Sequence, residues 1–280
     1  MPRKIPTVLT WLDIRELCSF PSASTFRSNL DGPVKRKPFF MPDATELCLC
    51  LEDGRFLHYR FEGHFLLWSD GEEFHEEKYE CFRLREDVTF LHHLRTAESP
   101  YSAATLILDG SSSSVTFVEM NLGTVYANRE VARTIHFGTF TFGEKPDKAA
   151  SVCAHHLTDR LTGVVIDWKY SPSARIHEMY ENRTCCAFVS PVPEDIPEWA
   201  DFFTTFNPSQ YVEFGRNLWL VSFCALGQSG VTVNQLMDLS DMTCVGSFFG
   251  IDSSDRLRSY TYGGVGAFAD VAFVGEYAIE

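Results

Sequence analysis

The chain has 280 residues, 45% hydrophobic and 22% charged, with 24 Phe and a net charge of −14. That length bounds it to one large β domain or two domains of about 140 residues. The charge argues against a nucleic-acid partner, because phosphate binding needs clustered Lys and Arg. The basic run Lys35–Lys37 reads as a solvated loop.

The opening MPRKIPTVLTWLDIRELC is basic, but Asp13 and Arg15 interrupt its apolar stretch. It fails as a signal peptide and is too short to span a bilayer, and no later window holds 18 apolar residues. Nine Cys is an odd number, and neither Cys48/Cys50 nor Cys185/Cys186 is spaced like a disulfide framework. Free thiols in a cytoplasmic setting are the expectation. The chain has no CxxC, HExxH or HxH, and the adjacent pairs His92–His93 and His155–His156 face opposite ways on a strand. Neither a metal nor any other cofactor is expected.

In chain order, residues 10–19 suggest a short helix, and residues 20–43, rich in Pro, Ser and Gly, a loop. From Thr45 the pattern becomes that of strands. LCLCLEDGRFLHYRF holds two extended runs around Asp53–Gly54, which predicts a type I′ hairpin. HFLLWSD, EKYECFRLRED, VTFLHHLRT, SAATLILDG and SVTFVEMNLG follow between turn residues, the signature of a meander closing into a barrel. Residues 143–157 read as a linker. The layout then starts again: residues 45–69 match 162–190, EKYECFRLREDVTFLHHL matches QYVEFGRNLWLVSFCAL, and SAATLILDGSSSSVTFVEMNLG matches SGVTVNQLMDLSDMTCVGSFFG. Arg83 or Arg85 corresponds to Arg216 in this matching. Two copies of one antiparallel barrel are predicted, one in residues 1–142 behind a leading segment, the other in residues 158–280. One stretch has no counterpart. In EDIPEWADFFTTFN (194–207), Trp199, Phe202, Phe203 and Phe206 fall on one helical stripe, which predicts a plug or an aromatic lid at a barrel end.

The densest polar set lies in residues 161–190. A strand over Val164–Tyr170 leads through a Ser-Pro-Ser turn to an extended run carrying His177, Glu178, Tyr180, Glu181 and Asn182. On a strand His177 shares a face with Met179 and Glu181, and Glu178 shares the other with Tyr180 and Asn182. Met179 marks the first face as inward and Tyr180 marks the second, so both sets stand as candidates. His177 is preferred as a proton donor because its ordinary pKa suits neutral pH.

HHLTDRLTGVVIDWKYSPSARIHEMYENRT resembles the start of the C-terminal domain of MoaF-like proteins, through His156, Thr158, Asp159, Leu161, Gly163, Tyr170–Ser171, Tyr180 and Asn182. GVTVNQLMDLSDMTCVGSFFG resembles a later strand pair of that family, and DGRFLHYRF with TLILDGSSSSVTFV resembles its N-terminal domain. The resemblance implies an all-β fold of two calycin-like barrels in tandem with few short helices. The chain departs from the family in the order His177–Glu178, in WADFFTTFNPSQ and in VSFCALG, and a greasier ligand follows. No pterin or molybdenum role is carried over.

The chain is similar to a subset of such proteins, the fungal hetero-Diels–Alderases of tropolone–sesquiterpenoid pathways. That resemblance implies dehydration of a hydroxymethyl tropolone or phenol to an ortho-quinone methide, then addition to a terpene alkene such as humulene. Such chemistry needs a proton donor, close positioning and exclusion of water. The candidate catalytic residues are His177, Glu178, Tyr180 and, as an anion holder, Arg216. Trp168, Trp199, Phe202, Phe206, Tyr211 and Trp219 would bind substrate, with Phe214 as a further interior aromatic. His58, Tyr59 and His64 are weaker candidates in the first barrel. The partners expected are apolar small molecules, and a homodimer is left open. The alternatives are a carrier of a lipophilic molecule, whose interior needs no titratable group, and a purely structural pair of domains.

Overall fold

A computed structural model describes residues 36–71, 73–96, 102–122, 131–143, 153–171, 174–189, 204–225, 231–251 and 257–269. Among these residues the chain forms strands and no helix. The first eight strands are β1 (Glu46–Leu51), β2 (Phe56–Glu62), β3 (Phe65–Ser69), β4 (His75–Arg85), β5 (Val88–Arg95), β6 (Ser102–Asp109), β7 (Ser114–Leu122) and β8 (Val131–Phe142). Each pairs antiparallel with the next, and β1 pairs with β8, so the sheet closes into a barrel. After the two-residue β9 (His156–Leu157) come β10 (Val165–Ser171), β11 (Ala174–Asn182), β12 (Cys185–Val189), β13 (Thr204–Glu213), β14 (Leu218–Ala225), β15 (Val231–Asp238), β16 (Thr243–Ile251) and β17 (Leu257–Phe268). β10 pairs with β17 and β12 with β13, which closes a second eight-stranded barrel. The protein is therefore all-β, two antiparallel barrels in tandem, and β1–β8 correspond in order to β10–β17.

The strands follow from period-two patterning. In β2, Leu57, Tyr59 and Phe61 point inward while Arg60 and Glu62 face water. β6 (SAATLILD) and β15 (VTVNQLMD) break the alternation, because every residue in them is buried. The cause is the packing of one barrel on the other. Ala104, Leu106 and Leu108 of β6 fill the first barrel, while Ala103 and Ile107 join Leu236 of β15 in a separate apolar cluster. That cluster includes Phe82, Phe90, Val118, Leu220, Val245 and Phe249, and forms the seam between the barrels.

Polar contacts across the seam are reciprocal. Arg85, at the β4–β5 turn, grips Asp238 at the end of β15 with bonds of 2.5 and 2.6 Å. Arg216, at the matching β13–β14 turn, donates to Asp109 at the end of β6 (3.2 Å) and to Asp87 (2.7 Å). At the centre, the matching residues Asn234 and Thr105 bond to each other (3.3 Å). His92 spans the seam from Thr105 (2.9 Å) to Ser259 (2.8 Å), neutral because burial lowers its pKa to about 3.

Each barrel is stoppered at one end by the segment before its first strand. Met41 donates its amide to the Tyr79 hydroxyl (3.0 Å) under the first barrel. Leu161 is buried under the second, where Gly163 donates to the Tyr180 carbonyl (2.8 Å).

Three expectations change. The hairpin at Asp53–Gly54 is not type I′: only Gly54 has a positive φ (88°), and its amide bonds Leu51 O (3.0 Å), a wider turn ending in a glycine bulge. The two-residue left-handed turn is instead Arg216–Asn217 (φ 53° and 59°). Of the stretch 194–207 read as a helix, residues up to 203 lie outside the described residues, as does the helix read at 10–19. Thr204–Asn207 belong to strand β13 and pair with β12. β12 needs a partner to close the barrel, and that pairing overrides the helical spacing of the aromatic residues. Of the stretch read as a linker, His156–Leu157 instead pair with Glu213 and Val212 of β13, and Cys153 and His155 are buried.

Candidate functional site

The second barrel carries an ionisable group in its interior. Ile176, Glu178 and Tyr180 of β11 alternate with His177 and Met179, and it is the Glu178 and Tyr180 positions that are fully buried. Glu178 lies opposite Ile166 of β10 in register and within the cluster of Ile166, Trp168, Tyr170, Tyr180, Tyr211, Met237 and Tyr262.

Large rings fit here because the facing strands supply glycine. A Cβ on Gly246 would lie 2.3 Å from Tyr262 Cζ, on Gly264 2.8 Å from the Tyr170 ring, and on Gly266 2.8 Å from the Trp168 ring. Real side chains do not approach that closely, so each aromatic ring lies flat against bare backbone.

Four side chains then form one network. Gln235 Nε2 donates to Glu178 Oε2 (3.1 Å). The hydroxyls of Tyr170 (3.0 Å) and Tyr262 (2.6 Å) both donate to Gln235 Oε1. The Tyr180 hydroxyl donates to Met237 Sδ (2.9 Å) and lies beside Glu178 and Trp168. Glu178 Oε1 and the Trp168 indole nitrogen have no partner of ordinary hydrogen-bond geometry.

Burial dominates the electrostatics. It raises the Glu178 pKa from 4.5 to about 8 against smaller opposing effects of Tyr180 and Gln235. At neutral pH the group is therefore mostly a carboxylic acid, able to give a proton. Burial likewise pushes the phenols of Tyr170, Tyr180, Tyr211 and Tyr262 up, and the thiols of Cys186 and Cys244. The surroundings of Glu178 are thus polar but uncharged.

The ends of the two barrels away from their stoppers differ. In the second, the side chains toward that end are apolar: Phe188 meets Phe223 edge to face (4.8 Å) and Phe248 stacks on Tyr260 (4.9 Å), with Ile176 and Ala225 half-buried beside them. In the first, an ion-pair lattice occupies the same end. Arg95 lies 4.0 Å from the Trp68 ring centre and bonds Glu119 (2.6 Å). Arg55 joins Glu119 (3.1 Å) to Asp53 (2.9 Å), and His136 reaches Asp53 (3.1 Å). Charges matched this closely seal a barrel end.

Of the residues singled out from the sequence, Glu178, Tyr180, Trp168, Tyr211 and Trp219 come together in the second barrel. His177, the preferred donor, does not. It points out of the barrel, 3.9 Å from Asp167, whose carboxylate Arg175 holds. Its neighbour Met179 is only half-buried, so a methionine did not mark the inward face. Arg216 is in the seam, committed to Asp87 and Asp109, and holds no group inside a barrel. Phe214 packs in the seam against His155 (4.4 Å). Phe206 stands 58% exposed on the outside of β13, so it lines no cavity there. Trp199 and Phe202 lie outside the described residues. Tyr59 is inside the first barrel, whereas His58 faces Glu46 (3.8 Å) and His64 packs on Phe40 (4.1 Å).

Gln235 and Tyr262 were not foreseen. In VTVNQLMD the amides Asn234 and Gln235 are adjacent, so one had to face each way. The apolar parity of Val231, Val233 and Met237 was the available signal that Gln235 is the inward one. Among the described residues no three His, Cys, Asp or Glu side chains are grouped to hold a metal ion. Comparison with known proteins adds no family: no family model and no curated protein matches this chain.

Proposed function

We propose that this chain is a cofactor-independent pericyclase acting on small apolar molecules, with Glu178 of the second barrel as its general acid. The observation that carries this reading is a carboxyl group 1% exposed, protonated near neutral pH, inside an aromatic barrel. A carrier of a lipophilic molecule would need no such group. The apolar end of the second barrel and the sealed end of the first favour the second as the reaction chamber.

The reaction implied by the resemblance fits these groups. Glu178 protonates the hydroxyl of a hydroxymethyl tropolone or phenol, and the C–O bond breaks to release water. The ring hydroxyl returns its proton to the Glu178 carboxylate, which Gln235 stabilises meanwhile, and an ortho-quinone methide is left. This heterodiene adds to an electron-rich terpene alkene, forming one C–C and one C–O bond with no further proton transfer. Aromatic walls hold the two partners face to face and keep out the water that would quench the intermediate. Side chains fill the barrel around Glu178, so substrate reaches it by displacing the rim rings Phe188, Phe223, Phe248 and Tyr260. The reacting layer is uncharged, so substrate is taken as the neutral phenol.

The test is incubation with a hydroxymethyl tropolone and humulene, with adducts measured by mass spectrometry. The wild type and His177→Ala are expected to form product at similar rates. Glu178→Gln is expected to be slower by about 100-fold or more. Full activity in Glu178→Gln would overturn the assignment, and tight binding without turnover in the wild type would favour the carrier.

A further inference from the structure

We propose that Gln235 is a positioning residue, clamped by Tyr170 and Tyr262, that fixes which carboxyl oxygen of Glu178 carries the acidic proton. This role rests on the reading of Glu178 as the acid, and deepens it.

An amide can present either its oxygen or its nitrogen to a neighbour, and here the choice is made by two phenols. Both hydroxyls reach Gln235 Oε1, at 3.0 and 2.6 Å. Both rings are buried, and were the amide turned over, two buried O–H groups would lose this acceptor at once. With Oε1 so held, Nε2 must face Glu178, and it donates to Oε2 (3.1 Å). An oxygen that accepts from an N–H is the poorer site for a proton. The proton therefore belongs on Oε1, the oxygen without a partner of ordinary geometry. Tyr170 and Tyr262 thus act on Glu178 through Gln235. The pieces come from β10, β11, β15 and β17, so the device exists only once the barrel is closed.

The clamp also limits how weak an acid Glu178 becomes. The Nε2–H donor favours the carboxylate, whereas a turned amide would accept from the acid and favour the neutral form. The ionisable groups around Glu178 are Tyr170, Tyr180, Cys186, Tyr211, Cys244 and Tyr262, from β10, β11, β12, β13, β16 and β17, and all are held neutral by burial. None is a charge; Tyr180, beside Glu178, is a further donor that favours the carboxylate, and it is the same in every variant tested.

The experiment is a ¹³C NMR titration of the Glu178 carboxyl in the full chain, its signal assigned by its loss in Glu178→Gln. The variant Tyr170→Phe/Tyr262→Phe keeps both rings and removes only the clamp. Its Glu178 is expected to titrate about 1 pH unit or more above the wild type, because the freed amide turns over. Gln235→Leu is expected to raise it too, and adding the two Phe substitutions to Gln235→Leu is expected to change nothing more. An unchanged titration in the folded two-Phe variant overturns the clamp, and so do effects that simply add. No turnover is needed. A failed assignment of function would show as an inactive wild type with the expected titrations, a failed clamp as unchanged titrations in an active enzyme.

Discussion

Replacing Glu178 by Gln tests the electrostatics of the second barrel through stability alone. The Glu178 pKa stands at about 8 against an ordinary 4.5. At about 1.4 kcal/mol per pH unit, that interval corresponds to about 5 kcal/mol. The folded chain holds a proton that the unfolded chain releases between these two values. Stability therefore falls as pH rises across the window and levels off above about pH 8. Between about pH 5 and about pH 7 the loss due to Glu178 is about 3 kcal/mol.

Other groups titrate in the same range and must be separated. His92 and His93 are buried and neutral, with pKa values near 3, so stability gained through them rises with pH up to about 6.5. Asp53, Asp109 and Asp238 are held below the ordinary carboxylate value, and their contribution is lost only in stronger acid. All these are the same in wild type and Glu178→Gln, so the difference between the two proteins isolates Glu178. Urea unfolding of both, at a series of pH values, is the assay, with equal m-values as the check that one transition is being compared. The variant is expected to gain on the wild type by about 3 kcal/mol from about pH 5 to about pH 7. Parallel curves would refute the buried neutral acid, whatever the protein's activity.

Gly246→Ala sets a Cβ 2.3 Å from Tyr262 Cζ and must move the ring off Gln235, so it is expected to cost about 2–5 kcal/mol in urea unfolding. Gly71→Ala, with open space around the new carbon, is the control and should change stability by less than about 1 kcal/mol. Asp238→Asn leaves Arg85 without its charge partner in the seam and is expected to cost about 2–4 kcal/mol, with a double-mutant cycle against Arg85→Ala returning the coupling. Tyr79→Phe removes the acceptor of the Met41 amide and a donor to Gly63 O, so amide exchange at Met41 should quicken and stability fall by about 1–2 kcal/mol.

The fold was legible because both its signals are local. Alternation in runs such as FLHYRFE marks strands, and turn residues space them evenly. The repeated order of runs exposed the second barrel, and the seam bears out the match at atomic level: Arg85 and Arg216 reach reciprocal aspartates across it. The site was legible only in part. Residues 161–190 did hold the buried acid, but period-two reasoning gives two faces and does not say which is inside. Met179 and His177 pulled one way, Tyr180 and Glu178 the other, and the barrel closed on the second. Hydropathy misleads at such a point, because a carboxyl destined to be neutral looks in the sequence like a surface charge. Gln235 was hidden for another reason. β15 is buried on both faces, so burial does not separate seam from interior, and only the parity of Val231, Val233 and Met237 marks Gln235 as the inward amide.

The seam also bears on how the second barrel tolerates such an interior. Glu178 inside its barrel weakens folding as pH rises, and the unpartnered Trp168 indole nitrogen beside it costs stability at any pH. A lone barrel would also expose its seam face, which in the first carries Phe82, Phe90 and Ile107, and in the second Leu220, Leu236 and Phe249. Burying one such side chain contributes about 1.5–3 kcal/mol, so even these six offset the about 5 kcal/mol tied to Glu178. The first barrel carries in addition the ion pairs of Arg55, Arg95, Asp53 and Glu119 at its far end. The apolar seam thus offsets the cost of the polar interior of the second barrel.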